Sequence, residues 1–398
     1  MRNEDFLVPL FLSLVMHILE IPSFFTPYGG EFCLDQAKAL KAVGHEVRIL
    51  SNVQLGATIG LRDYLSLPYR RFEHVRDGIT VCQSFQRGVP MVIRWNVKRW
   101  VQIVCSMFDN YVGQYGVPDI LHAHCSKWAG YAAMQISRKY HLPYVITEHL
   151  SRLVFEKEFG PAPSDAWQIP LLKEAYENAD LVIPVSEELV DNIACYFGKD
   201  YRWQAVSNTI DVDFFHYQSR QPLQGRMFRF CCLANNWPMK GYDILIPAFR
   251  QLRESGQNVE LHIAGRGTDS AEFRSMMSDG MVTHGLISRN DVRELLYQSD
   301  ALVLASRSEV QPLSLLEAMS TGIPVIATEC VPQSLRIEGG STIVPIDDVE
   351  AMKKAMSDVV GRPTVDGRWL SQEVLRIASP EVVGRKLEKL FSGLVTSD

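Results

Sequence analysis

Residues 305–328 read ASRSEVQPLSLLEAMSTGIPVIAT. The stretch lies between two apolar runs, Ala301–Leu304 and Pro324–Ala327, which read as strands. Between them a helix is predicted over Leu313–Thr321. Pro312 suits its first turn, where a missing N–H costs nothing. The next amides, of Leu313 and Ser314, have no acceptor within the helix. With the helix dipole they form an anion site that needs no lysine. Thr321-Gly322, with Pro324 soon after, ends the helix sharply. Glu309 sits in the turn before the helix, where a carboxylate can accept hydrogen bonds from sugar hydroxyls. Glu317, inside the helix, suits a diol such as ribose.

Working outward, the same strand–helix alternation fills both halves of the chain. In the second half, strands are predicted at Phe228–Leu233, Val259–Ala264, Met281–His284, Ala301–Leu304, Pro324–Ala327 and Thr342–Pro345. In the first they are predicted at His17–Ile21, Val47–Leu50, Asp119–His122, Tyr144–Thr147 and Leu181–Val185. Short apolar strands separated by helices imply parallel sheets covered on both faces. The fold class is therefore α/β, with two Rossmann-like domains. The expected boundaries are an extension at 1–15, a first domain at 16–217 and a second at 227–379. A polar linker with Pro222 and Gly225 joins the domains, and a last helix covers 380–395. Ligands of such sheets bind beyond the carboxyl ends of the strands, so two domains facing each other make one cleft.

Length and composition agree. A chain of 398 residues, 46% apolar and 22% charged, exceeds one ordinary domain. A net charge of −6 argues against nucleic acid as a partner. The eight cysteines lack CxxC spacing, so they suggest neither a zinc site nor a redox motif, and reduced thiols in the cytoplasm are expected. Phe6–Met16 is apolar but too short to span a bilayer. Its leader MRNED carries little positive charge, and no small-residue cleavage site follows. Residues 92–108 form an amphipathic helical pattern. Ile93, Val97, Trp100, Val104 and Phe108 lie on one stripe, with Arg94, Lys98 and Arg99 mostly off it. That pattern fits an ordinary domain helix and also allows contact with a membrane surface.

The SxxE…LLEAM…TGIPVIAT text resembles the paired-glutamate signature of retaining, nucleotide-sugar-dependent glycosyltransferases of family 4, which have the GT-B fold. The resemblance spans roughly residues 16–395. It implies that Glu309 contacts the donor sugar and Glu317 the ribose. It also implies that the final helix crosses back onto the first domain. Lys240-Gly241 resembles the family's R-x4-KG pattern, which makes Lys240 a partner of the diphosphate. Asn235 stands where the family has arginine, so a less positive donor site is expected. Gln311-Pro312 also departs from the family, and proline removes one backbone donor.

Gly29-Gly30 in PYGGE resembles the P-x-x-GG loop that touches donor phosphate and acceptor. It is not a GxGxxG, which counts against a dinucleotide dehydrogenase. His149 in ITEHL occupies the place of a histidine that contacts the donor sugar, and such a residue can donate a hydrogen bond or a proton near neutral pH. His122 and His124 read as satisfied strand-end histidines, with no third metal ligand evident nearby. Gly265-Arg-Gly267 resembles the turn beside the nucleotide, and Gly285-Leu-Ile287 the turn that meets the base. Asp211-Val-Asp213 resembles a turn-forming segment, so it is not read as a metal-binding DxD.

The implied activity is retaining transfer of a sugar from a nucleotide-diphosphate sugar to a hydroxyl acceptor. The acceptor would be a glycan or lipid-linked glycan in cell-surface polysaccharide synthesis. No metal or other cofactor is expected. The implied location is cytoplasmic, with a peripheral contact at the inner membrane face. Acceptor choice is expected to reside in 56–76 and 152–167. The alternatives are a nucleotide-sugar epimerase of GT-B architecture and a non-catalytic sugar-nucleotide binder.

Overall fold

A mostly apolar stretch that carries Glu20 in its middle, His17–Pro22 (β1), starts a seven-stranded sheet. The computed structural model describes residues 15–25, 29–56, 61–66, 70–160, 166–219, 225–361 and 365–396. The segment 6–14, Pro27 and the middle of the linker lie outside these residues, as do parts of 56–76 and 152–167.

The remaining strands of the first sheet are β2 (Glu46–Leu55), β3 (Arg70–Arg76), β4 (Ile79–Arg87), β5 (Ile120–His124), β6 (Tyr144–Glu148) and β7 (Leu181–Pro184). Their spatial order is β3-β4-β2-β1-β5-β6-β7. All pairs are parallel except the β3–β4 hairpin. That hairpin is absent from the sequence reading, which placed 70–76 in an acceptor loop. β3 reads RRFEHVR and has no buried residue, so it lacks the apolar run that marks the inner strands. Charge on an outer strand also blocks pairing with other chains. Part of the other expected loop, 152–167, is the helix Arg152–Phe159.

The second sheet contains β8 (Phe228–Leu233), β9 (Val259–Ala264), β10 (Met281–Gly285), β11 (Ala301–Leu304), β12 (Val325–Thr328) and β13 (Ser341–Val344). It is wholly parallel, in the order β10-β9-β8-β11-β12-β13. This is the doubly wound order of dinucleotide-binding sheets, with its switch point between β8 and β11. The corresponding switch point of the first sheet lies between β1 and β5.

The helix Ile93–Tyr115 buries Val97, Trp100, Val101, Val104, Met107, Phe108 and Tyr111 against the first sheet. Ile93, expected on that stripe, is 59% exposed because it precedes the packed turns. The final helix, Pro380–Val395, returns to the first sheet. Val383, Leu387 and Phe391 join the core beneath β1 and the helix Glu31–Ala42. Each such buried side chain contributes roughly 1.5–3 kcal/mol. Gly384 makes this packing close, since a Cβ there would lie 2.6 Å from the carbonyl oxygen of Ala39. Among the described residues, no helix is long and apolar enough to cross a membrane.

Candidate active site

The chain leaves β8, crosses Asn235 and Trp237, and makes one 3-10 turn at Pro238–Lys240. Gly241 follows with φ +65°, and a Cβ on it would sit 1.9 Å from the Ala305 carbonyl oxygen. Glycine therefore lets this turn press against the end of β11. The contact brings Lys240 to Glu309 across the switch point, with Nζ donating to Oε1 at 2.6 Å. Only 17% of the lysine side chain and 8% of the glutamate side chain are exposed. Two residues with separate expected roles thus form one shielded ion pair.

Arg307, to which the sequence reading gave no role, clamps the turn that carries Lys240. Its guanidinium donates to Asp243, to Asp347 and to the Pro238 carbonyl, and its backbone N–H donates to Met239. Asn235 accepts the Arg266 N–H at 2.8 Å, so it secures the Gly265–Gly267 turn. Gln311 reaches the other way. Its Oε1 accepts the Asn208 N–H at 2.6 Å, and its amide donates to Ser207. The departure at Gln311-Pro312 therefore ties the Glu309 turn to the segment following the first sheet. Pro312 caps the helix Leu313–Ser320 instead of opening its first turn.

A cavity of about 320 Å³ adjoins this pair. Asn235, Lys240, Gly265, Ile287, Ser314 and Glu317 all line it, as do Trp237 and Leu286, which have no role in the sequence reading. Burial pushes the Glu317 carboxyl up to about 7, opposed by Arg289 and reinforced by Asp35. Asp35 belongs to the helix Glu31–Ala42 of the first half, so that helix acts electrostatically on the cavity. Arg289 also pairs with Asp211 at 3.2 Å, and Asp211 accepts the Phe214 N–H at 3.1 Å. Asp211 is thus engaged in a turn and an ion pair.

On the first-sheet side, Gly29 and Gly30 both have positive φ, at +103° and +82°. A Cβ on Gly30 would meet the Phe24 carbonyl oxygen at 2.2 Å. This turn starts the helix whose Phe32 stacks on His149, with ring centroids 3.7 Å apart. His149 follows β6, and the buried Glu148 accepts the N–H groups of His149 and Leu150 at 3.0 and 2.9 Å.

Burial beside His124 and His122 holds the His149 imidazole well below its usual range. The neutral ring is thereby favoured, and a neutral ring offers a hydrogen bond. His122 and His124 are satisfied histidines, as read, but a third ligand-type side chain does lie beside them: Glu20 of β1, which the sequence reading does not single out, contacts both. Its signal was an ionisable residue inside an otherwise apolar inner strand.

A family model described as Glycosyltransferase Family 4 matches residues 29–214, and one described as Glycosyl transferases group 1 matches residues 228–362. The chain belongs to the GT-B glycosyltransferases of family 4 type. One relative, TuaC of Bacillus subtilis, is named for teichuronic acid biosynthesis. It is 24% identical over 323 residues, covering 77% of this chain and 78% of its own. Among solved structures, sucrose-phosphate synthase of Thermosynechococcus elongatus superimposes with a TM-score of 0.74 at 18% identity, covering 96% of this chain and all of its own. HepE of Anabaena, solved with UDP, superimposes with a TM-score of 0.70 at 16% identity, covering 95% and 100%.

In this glycosyltransferase the second sheet carries Lys240, Glu309 and the cavity. The first sheet carries the two glycines and His149.

Proposed function

We propose that this transferase moves a sugar from a nucleotide-diphosphate donor to a hydroxyl of a glycan or lipid-linked glycan, with retention of anomeric configuration. The observation that carries this reading is the shielded Lys240–Glu309 pair beside a cavity that also reaches Ser314 and Glu317. Lys240 and the amides of Leu313 and Ser314 meet the diphosphate and stabilise the charge that develops as it leaves. Glu309 and His149 orient the sugar, and Glu317 accepts from the ribose diol. Gly29 and Gly30 let the first-domain backbone approach the donor. The acceptor hydroxyl attacks from the face the diphosphate leaves, and a donor phosphate oxygen takes its proton.

The name of TuaC supports a cell-surface polysaccharide as the acceptor class, and the UDP bound to HepE supports a nucleoside diphosphate ligand. The donor side needs no metal in this reading, because lysine and helix amides supply the positive charge. A peripheral membrane contact fits Met91, Val92, Ile93 and Trp95, which are exposed beside Arg94 and Lys98.

A thermal-shift screen of nucleotide sugars finds the donor, since a bound ligand raises the melting point by mass action. Transfer assays with that donor then follow the anomeric proton of the product by NMR. An equatorial–axial inversion would defeat retention, and an epimerised donor formed without acceptor would defeat transfer. Activity abolished by EDTA and restored by Mn²⁺ would defeat metal independence.

A further inference from the structure

The first sheet's switch point holds a chain of hydrogen bonds that ends on His149. Glu20 Oε2 lies 2.6 Å from His124 Nε2 and 2.9 Å from His122 Nδ1. The side chains of all three residues are fully buried. His122 Nε2 lies 2.6 Å from the Thr147 hydroxyl. His124 Nδ1 lies 3.2 Å from His149 Nε2. His149 Nδ1 is shielded from solvent and has no partner among the described residues.

Proton positions follow from chemistry. An ionised carboxylate only accepts, so His124 Nε2, which is hydrogen-bonded to Glu20, carries a proton. The His124 ring is neutral, its titration driven down to about 4 by burial and by His122, against the opposing pull of Glu20. Its Nδ1 is then a lone pair. The bond to His149 forms only if His149 Nε2 carries the proton. A neutral His149 protonated at Nε2 has a bare lone pair at Nδ1. The reverse arrangement would set two lone pairs against each other at 2.6 Å between Glu20 and His124.

We propose that Glu20, acting through His124, is a positioning residue that fixes His149 as the Nε2–H tautomer and so makes its Nδ1 an acceptor for a sugar hydroxyl. This deepens the donor-orienting role given to His149 above and rests on that reading. The unpartnered, shielded Nδ1 is the atom the arrangement leaves for a ligand, because buried polar atoms are normally satisfied. The group it selects is a hydrogen-bond donor, which a hydroxyl is and a phosphate or acyl oxygen is not.

The three side chains Glu20, His122 and His124 could also surround a cation. Ligand atoms about a tetrahedral ion stand roughly 3.3 Å apart. The separations of 2.6 and 2.9 Å are shorter than that, and the first is a hydrogen bond.

The test is long-range ¹H–¹⁵N NMR of the full chain labelled with ¹⁵N-histidine, without ligand, with the His149 signals assigned by their loss in His149→Asn. The expected spectrum shows a protonated Nε2 and an unprotonated Nδ1 at neutral pH. A proton on Nδ1, or on both nitrogens, overturns the proposal. Glu20→Gln keeps an acceptor on His124, with its amide in place of the unpartnered Oε1. It should retain the tautomer and turnover within about threefold. Glu20→Met removes the acceptor. It should give mixed His149 tautomers and lower kcat about tenfold, the scale of one hydrogen bond in the transition state.

If Glu20→Met loses activity while the Nε2–H tautomer stays intact, the residue is merely structural. If that variant fails to fold, the wild-type and Glu20→Gln spectra still decide. Stoichiometric zinc in the purified protein, lost in Glu20→Gln, would overturn the hydrogen-bond assignment. The tautomer is read without any donor, so absence of sugar transfer would defeat the proposed function and leave this result standing.

Discussion

The two switch points of this molecule treat charge in opposite ways. Between β8 and β11 a lysine and a glutamate form a shielded pair, and the lysine lines a cavity. Between β1 and β5 a glutamate is sealed at 0% exposure under two histidines, and only a neutral imidazole lies beyond them. The same wound-sheet geometry thus serves two purposes. In the proposed function one site offers a cation to a ligand that carries and releases negative charge, and the other keeps its charge away from the ligand and uses it to orient a neutral ring. A facing pair of similar sheets can divide electrostatics from orientation in this way.

The largest way to break this contrast is to remove the cation. Lys240→Ala should lower transfer by about 10²–10³-fold, the scale of losing one donor at a developing anion. It should also destabilise the fold by about 2 kcal/mol, because Glu309 is left shielded and unpaired. Lys240→Met combined with Glu309→Leu should melt higher than either single variant while remaining inactive. Denaturant unfolding of the four proteins measures the coupling.

A smaller effect concerns Glu317. Its carboxyl, raised to about 7, should ionise progressively between pH 6 and 8. Only the carboxylate accepts both protons of a diol, so affinity for a nucleoside diphosphate should rise by up to about tenfold over that range. Glu317→Gln should flatten the dependence in calorimetric titrations. The raised value also means that ionisation is disfavoured in the folded state. Stability contributed at low pH is therefore lost as pH climbs from the unfolded carboxyl range through 7. At pH 8 the Gln variant should melt above wild type.

The smallest effect tests the outer surface. Trp95→Ser should reduce sedimentation with anionic vesicles while leaving transfer to a soluble acceptor unchanged. A large loss of soluble activity would return Trp95 to an ordinary structural role.

The inner strands were legible because burial on both faces writes them as apolar runs, as in ALVL of β11 and VIAT of β12. β3 was not, because RRFEHVR has the composition of a solvated segment. The residues that line the cavity of the second sheet were legible from their turns, but the pairing of Lys240 with Glu309 was not. Lys240 and Glu309 stand 69 positions apart, and only the adjacency of β8 and β11 joins them. Glu20 was harder still. It faces His122 in the β1–β5 register, and 104 positions separate it from its partner His124. The tautomer of His149 depends on that distant contact, so no local motif could carry it.

The most direct test of the central claim is the behaviour of Glu309→Gln with the identified donor. Binding of the nucleoside diphosphate should stay close to wild type by calorimetry, with transfer lowered at least 100-fold. Transfer at the wild-type rate by that variant would contradict it.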